Sequence, residues 1–147
     1  MRVLFLDVDG VLNRTGYKPG SSAGLRSWIE PELARRLSKV IAATGASLVM
    51  SSDWRRGRAL PLLQEELGAA GIVGSLIDVT PVLGEQRWRE IDSWMKTHEV
   101  APASVVIVDD GYDMGGLAAR FVRTSPLNGL DVDAARAIVG LFEDADA

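Results

Sequence analysis

The sequence predicts an α/β protein, a Rossmann-like three-layer sandwich with a central, mostly parallel sheet. Three observations predict it. Short apolar runs alternate with segments of helical period, the pattern of repeated βαβ units. The runs are only four or five residues long and rich in branched or aromatic side chains, so they read as buried strands. Polar residues directly follow three of them: Asp7 and Asp9, Ser51 and Ser52, and Asp109 and Asp110. In an open parallel sheet the carboxyl ends of the strands lie on one side, where ligands bind.

The elements follow in order. The first strand is expected at Val3–Leu6. Residues 13–27 form a Gly- and Ser-rich loop, long for a connection and of the kind that is functional or mobile. Residues 32–43 read as a helix with Leu33, Leu37, Val40 and Ile41 on one face, Pro31 in its first turn and Gly45 past its end. Residues 46–50 are the second strand, and residues 58–70 a helix through Leu62, Leu63 and Leu67. A weaker strand signal lies at residues 72–77. Residues 88–96 place Ile91, Trp94 and Met95 on one helical face. Strands are expected at residues 105–108 and, more weakly, 121–122. Asp131 or Asp133 caps a last helix running to about residue 142, ahead of an acidic tail at 143–147.

Composition narrows the function. At 147 residues the chain is expected to be one domain, 1–147, large enough to fold without staples. It has no cysteine, which removes disulfides, thiolate metal sites and cysteine nucleophiles and fits a reducing compartment. The only histidine is His98, so a zinc site or a histidine-based triad has almost no material. The first strand begins at Arg2 or Val3, leaving no room for a signal peptide, and no apolar stretch approaches the roughly 20 residues that span a bilayer. A cytoplasmic location with no membrane partner is expected. A net charge of −4 disfavours a protein that coats nucleic acid non-specifically, but not one that grips a single phosphorylated end.

The candidate site is the set of strand-end residues. Asp7, Asp9, Asp109 and Asp110 would converge with the hydroxyls of Ser51 and Ser52 in one crevice. So many like charges repel unless a cation joins them, and an all-oxygen set without His or Cys favours Mg²⁺. Each motif alone has a plainer reading. Asp-x-Asp is a turn, Ser51-Ser52 a helix N-cap, and Asp109-Asp110 a loop. The first stretch is not an EF-hand loop, because Gly10 falls at position four from Asp7 rather than six. The argument rests on all of them sitting at strand ends in this order.

Taken together the residues resemble the four motifs of the haloacid dehalogenase (HAD) phosphohydrolase superfamily. Asp7-Val8-Asp9-Gly10-Val11-Leu12 is similar to the first, Ser51 to the second, Arg87 to the third-motif cation, and Asp109-Asp110 to the fourth. The third motif is more often Lys, and Arg89 and Lys96 are rivals for that place. The spacing Ser51-Ser52-x-Trp54-Arg55, Arg87-x-x-Glu90-Ile91-x-x-Trp94, Asp109-Asp110-x-x-Asp113 and Gly129-Leu130 also resembles the HAD domain of bacterial Swiss Army knife RNA-repair proteins.

The resemblance implies a HAD-like fold and a Mg²⁺-dependent phosphomonoester hydrolase. Asp7 would be the nucleophile that forms an aspartyl-phosphate, and Asp9 the general acid and base. Asp7, the Asp9 main-chain carbonyl and Asp110 would hold Mg²⁺, with Asp109 adjacent. Ser51, Ser52, Arg55 and Arg87 would bind the phosphate.

Many relatives carry a cap domain, but residues 13–30 are too short for one and residues 55–83 are filled by a helix and a strand. A capless, open site suits a phosphorylated substrate such as an oligonucleotide end or a nucleotide. Trp54, Arg55, Arg56 and Arg58 could stack a base and bind a second phosphate, or be core and ordinary helix surface. Trp28, Trp88 and Trp94 are expected to pack, and His98 to sit at the surface or at a helix cap. Two other functions remain open at this point: an inactive HAD-like binding domain and a small-molecule phosphatase acting on nucleotides or sugars. A receiver-like signalling module fits poorly, because its acidic pair follows the first strand rather than a late one.

Overall fold

The computed structural model describes residues 1–20, 24–111 and 113–146. Residues 21–23 of the predicted loop and residue 147 of the predicted tail lie outside the described residues. Five strands form one sheet in the order β3-β2-β1-β4-β5: β1 (Val3–Leu6), β2 (Ser47–Met50), β3 (Leu76–Val79), β4 (Val105–Asp109) and β5 (Phe121–Arg123). Every pairing is parallel. The helices between them are α1 (Gly24–Ser27), α2 (Pro31–Thr44), α3 (Leu60–Ala69), α4 (Arg87–Thr97) and α5 (Val132–Ala145). This is the expected Rossmann-like α/β sandwich, and no cap domain is present among the described residues.

The layers follow from strand alternation. β1 and β4 are buried along their whole length, as strands covered on both faces must be. Leu4, Leu6, Leu48, Met50, Val106 and Val108 face one cluster, built with Leu33 and Leu37 of α2, Leu63 and Leu67 of α3, and Ile138 and Phe142 of α5. Val3, Phe5, Val49, Val105 and Ile107 face the other, covered by Ile91, Trp94 and Met95 of α4. There Phe5 meets Trp94 edge-on, with ring centroids 5.4 Å apart at 83°. Such a pair adds about 0.5–1.5 kcal/mol beyond its buried area.

The expected strands and helices are present, with shifted ends. The third strand is the clearest shift: the signal at residues 72–77 resolves into Leu76–Val79. Ile72 is instead spent on ending α3, its N–H donating to the Leu67 carbonyl at 3.1 Å. α1 lies inside the predicted loop. Asp131, not Asp133, caps α5, accepting from the Ala134 N–H at 2.8 Å, and the helix runs through most of the expected acidic tail. His98 caps α4, and Trp94 is buried, as expected. Among the described residues no helix is long and apolar enough to cross a membrane.

Candidate active site

Strand register builds the centre of the site. Leu6 pairs with Met50 on one side and with Val108 on the other. One residue further, the Ser51 N–H donates to the Leu6 carbonyl at 3.0 Å and the Asp7 N–H to the Val108 carbonyl at 3.1 Å. Asp7, Ser51 and Asp109 therefore stand at one level across three neighbouring strands. Val3 and Phe5, Val49, and Val105 and Ile107 face α4. The same two-residue alternation turns Asp7, Ser51 and Asp109 toward α4. Arg87 is the first residue of that helix.

Arg87 closes the cluster. Its Nη1 lies 3.0 Å from Asp7 Oδ1 and 2.8 Å from Asp109 Oδ2, and its Nη2 lies 3.6 Å from Asp53. The rivals for this role are engaged elsewhere: Arg89 lies over the Trp88 ring and Lys96 pairs with Asp92. Burial opposes the charge on Arg87, but Asp7 and Asp109 outweigh it and hold the guanidinium more firmly protonated than usual.

Asp7, Asp109 and Asp110 each offer an oxygen, and these atoms lie within 4.8 Å of one another. Burial and then Asp109 push the Asp7 carboxyl up to about 8, against the pull of Arg87. Burial and Asp109 also raise Asp110, which is hydrogen-bonded to Asp7. Once fully ionised, the three carboxylates leave two negative charges uncompensated beside one guanidinium. That is the charge a divalent cation supplies, and the donor set is all oxygen, so the residues fit Mg²⁺. The two acids of the fourth motif differ. Asp109 spends one oxygen on Arg87 and the other on the Gly111 N–H at 2.8 Å, leaving Asp110 freer to ligate. Asp113 accepts from Gly115 and Gln86, and its carboxylate is not part of the cluster.

The turn after β1 is tightly held. Gly10 has φ +79°, and a side chain there would overlap the Asp110 carboxylate, so only glycine fits. The Gly10 N–H donates to Asn13 Oδ1 at 3.1 Å, and Thr124 Oγ1 donates to the Gly10 carbonyl at 2.7 Å. The Asp9 carboxylate is exposed and stands apart from the three-acid cluster. Its Oδ1 accepts from Asn13 Nδ2 at 2.9 Å and from Trp54 Nε1 at 3.4 Å. The Asp9 side chain is thus not part of the three-acid cluster.

The second motif requires a correction. Arg55 is not available to a phosphate, because its side chain is 1% exposed and every donor is spent on protein. Nε donates to the Thr80 carbonyl, Nη1 to the Ser51 and Ser52 carbonyls, and Nη2 to the Pro81 carbonyl and, at 2.8 Å, to Glu90. Arg55 is a strut that ties the ends of β2 and β3 to α4. Ser52 is an N-cap, its Oγ accepting from the Trp54 N–H at 3.2 Å, as the plainer reading had it. Ser51 behaves differently: its Oγ is buried with no hydrogen-bond partner among the described residues. A buried hydroxyl left so costs about 1–3 kcal/mol, and a phosphoryl oxygen would satisfy it.

Sequence reasoning missed Asn13 and Thr124 as parts of the site and gave Glu90, quoted in the family spacing, no role. Asn13 had a readable signal, since an Asx residue closing a tight turn bonds nearby main chain. Thr124 had none, because its contact with Gly10 spans 114 residues.

Residues 3–135 match the family described as the HAD domain in Swiss Army Knife RNA repair proteins, and the chain belongs to that family. The family is of phosphatase-type hydrolase character. A comparison with curated proteins finds no match.

Two outcomes follow from this geometry. The Asp7 carboxyl lies higher in the folded than in the unfolded chain, whose value is about 4, so the fold holds a proton that the unfolded chain has lost. That stabilisation is full below about pH 4 and is lost as pH rises toward about 8. Cation-free protein should therefore melt at a lower temperature at pH 8 than at pH 5. Asp7→Asn should flatten this dependence and raise the pH 8 melting temperature by about 5 °C. Thermal unfolding against pH checks both, and identical profiles for the two proteins would contradict the assignment. Glu90→Ala leaves the Arg55 charge buried and unpaired, at a cost of about 3–5 kcal/mol. The melting temperature should fall by about 10 °C, and a fall under about 2 °C would contradict the strut.

Proposed function

We propose that this chain is a Mg²⁺-dependent phosphomonoester hydrolase that works through an aspartyl-phosphate on Asp7. Its proposed substrate is the phosphorylated end of an oligonucleotide or nucleotide. The observation that carries the reading is the convergence of Asp7, the unpartnered Ser51 hydroxyl and the Arg87 guanidinium at the ends of adjacent elements. A nucleophile, a hydrogen-bond donor and a cation at one point are what phosphoryl transfer needs, since its catalysis is mostly positioning and charge stabilisation.

Asp7 attacks phosphorus, and Asp9 delivers a proton to the departing oxygen. Asp9 then takes a proton from the water that releases phosphate from Asp7. Ser51 Oγ donates to a phosphoryl oxygen, and Arg87 faces the phosphoryl charge while fixing the angle of Asp7. Asp7, Asp110 and the Asp9 main-chain carbonyl would hold Mg²⁺, with Asp109 beside them anchoring Arg87. Bound there, Mg²⁺ would offset the two uncompensated charges and those of the phosphoryl oxygens.

The substrate class rests on the family description, the absence of a cap and the outer rim. There Arg58 lies 4.8 Å over the Trp54 ring, and among the described residues Arg56 pairs only with the exposed Asp53. The location is proposed to be cytoplasmic, and the partner to be the phosphorylated substrate itself.

Asp7→Asn should lower kcat by several orders of magnitude with the fold retained, and chelation should abolish wild-type turnover. More than about 10% residual rate in Asp7→Asn, or full activity in chelator, would rule the mechanism out. For substrate class, kcat/KM should be higher for a phosphorylated oligonucleotide than for the matching mononucleotide, and added salt should shrink the difference. Arg56→Ala should lower the oligonucleotide value more than the mononucleotide value. Equal efficiency without salt dependence would instead mark a small-molecule phosphatase.

A further inference from the structure

We propose that Asn13 and Trp54 are positioning residues that confine the working proton of Asp9 to its Oδ2 atom. The inference rests on the phosphatase reading above and adds the reason why an exposed carboxylate can serve as a directed acid.

The geometry is specific about which oxygen is occupied. Both donors reach the same atom, Asp9 Oδ1, from Asn13 Nδ2 at 2.9 Å and from Trp54 Nε1 at 3.4 Å. An indole N–H can only donate. The Asn13 amide is fixed in orientation by two further bonds. Its Oδ1 accepts from the Gly10 N–H at 3.1 Å, and its Nδ2 donates to the Trp28 carbonyl at 2.9 Å. It too can only donate to Asp9. A proton on Oδ1 would face two N–H groups, so the protonated acid must carry it on Oδ2.

The two donors come from separate elements and are themselves braced. Asn13 belongs to the turn after β1. Trp54 lies in the short turn after β2, packs partly against the larger core cluster and has Arg58 over its ring. The indole is therefore a rigid post rather than a swinging side chain. Asp9 lies beside both neighbouring recesses. One, of about 320 Å³, is lined in part by Tyr17, Trp28 and Asp110, and the other, of about 240 Å³, by Asp53, Trp54 and Arg58.

The step balances without any added reactant. An Asp7 oxygen forms a bond to phosphorus while the bond from phosphorus to the leaving oxygen breaks, and the Oδ2 proton passes to that oxygen. In the second half, water forms the new bond to phosphorus and returns a proton to Oδ2 as the Asp7–phosphorus bond breaks. An acid free to present either oxygen would spend part of its time with the proton turned away from the leaving group.

The test uses leaving-group dependence, which a merely structural role would not move. p-Nitrophenolate departs without help, whereas an alkoxide such as that of glycerol 2-phosphate needs a proton. With Mg²⁺ present, kcat/KM reports the first half-reaction only, so slow release of phosphate from Asp7 does not confuse it. Trp54→Phe keeps the ring and removes the N–H. It should lower kcat/KM for glycerol 2-phosphate about tenfold more than for p-nitrophenyl phosphate, a share of the about 10²–10⁴-fold that a positioned acid supplies. Asn13→Ala should show the same selective loss more strongly, and because it also loosens the Gly10 turn, Trp54→Phe is the deciding variant. Equal losses on both esters, or none on either, would overturn the proposal. Wild-type protein that turned over neither ester nor a phosphorylated nucleotide or oligonucleotide would instead remove the phosphatase reading itself, and the proposal with it.

Discussion

Three carboxylates packed around one guanidinium is the constraint on which this structure depends. Asp7, Asp109 and Asp110 are brought together by strands whose pairing buries Val, Leu, Ile and Phe side chains on both faces. The sheet cannot adopt its register without driving these acids into contact. Arg87 offsets one charge, and burial holds a proton in the cluster where water would have removed it. The excess negative charge is thus a consequence of packing, and it makes the site receptive to a divalent cation and, through it, to phosphate.

The rest of the molecule holds that cluster in place. Thr124 after β5 grips the Gly10 carbonyl, and the Thr124 N–H donates to the Asp109 carbonyl at 2.9 Å, so one residue ties the first and fourth motifs. Arg55 and Glu90 do the same for the opposite wall. Glu90 accepts from Arg55 and also from the Leu83 N–H at 2.7 Å, fixing the segment that leads into α4 and hence the position of Arg87. A buried pair of this kind is weak evidence for stability but strong evidence for a fixed geometry. Arg55, which reads in sequence as a phosphate ligand, therefore acts through Glu90 on the position of Arg87.

The fold and the heart of the site were legible in sequence because both depend on local pattern. Short apolar runs of four or five residues, rich in branched side chains, read as buried strands, and polar residues at their ends share a side of a parallel sheet. Asp7, Ser51, Asp109 and Asp110 were found in this way, and Arg87 only through the resemblance to the third HAD motif. Arg55 was misread because a cation beside the second motif looks the same in sequence whether it faces solvent or Glu90. Its partner lies 35 residues away, across a helix, a strand and a loop. The third strand was placed early because Ile72 is as apolar as a strand residue, and only the closing turn of α3 claims it. Thr124 was invisible because the side of the chain it grips is set by sheet order, which apolar pattern does not encode.

The central claim is that Asp7 carries the phosphoryl group, and a trapping measurement tests it most directly. Protein turning over a phosphomonoester with Mg²⁺ would be quenched in acid, reduced with borohydride and sequenced by mass spectrometry. Reduction converts an aspartyl-phosphate to homoserine and leaves free aspartate untouched. The account predicts substrate-dependent homoserine at position 7 and at no other carboxylate, lost in Asp7→Asn. Turnover with no modified residue, or with the label on Asp9, Asp109 or Asp110, would contradict it.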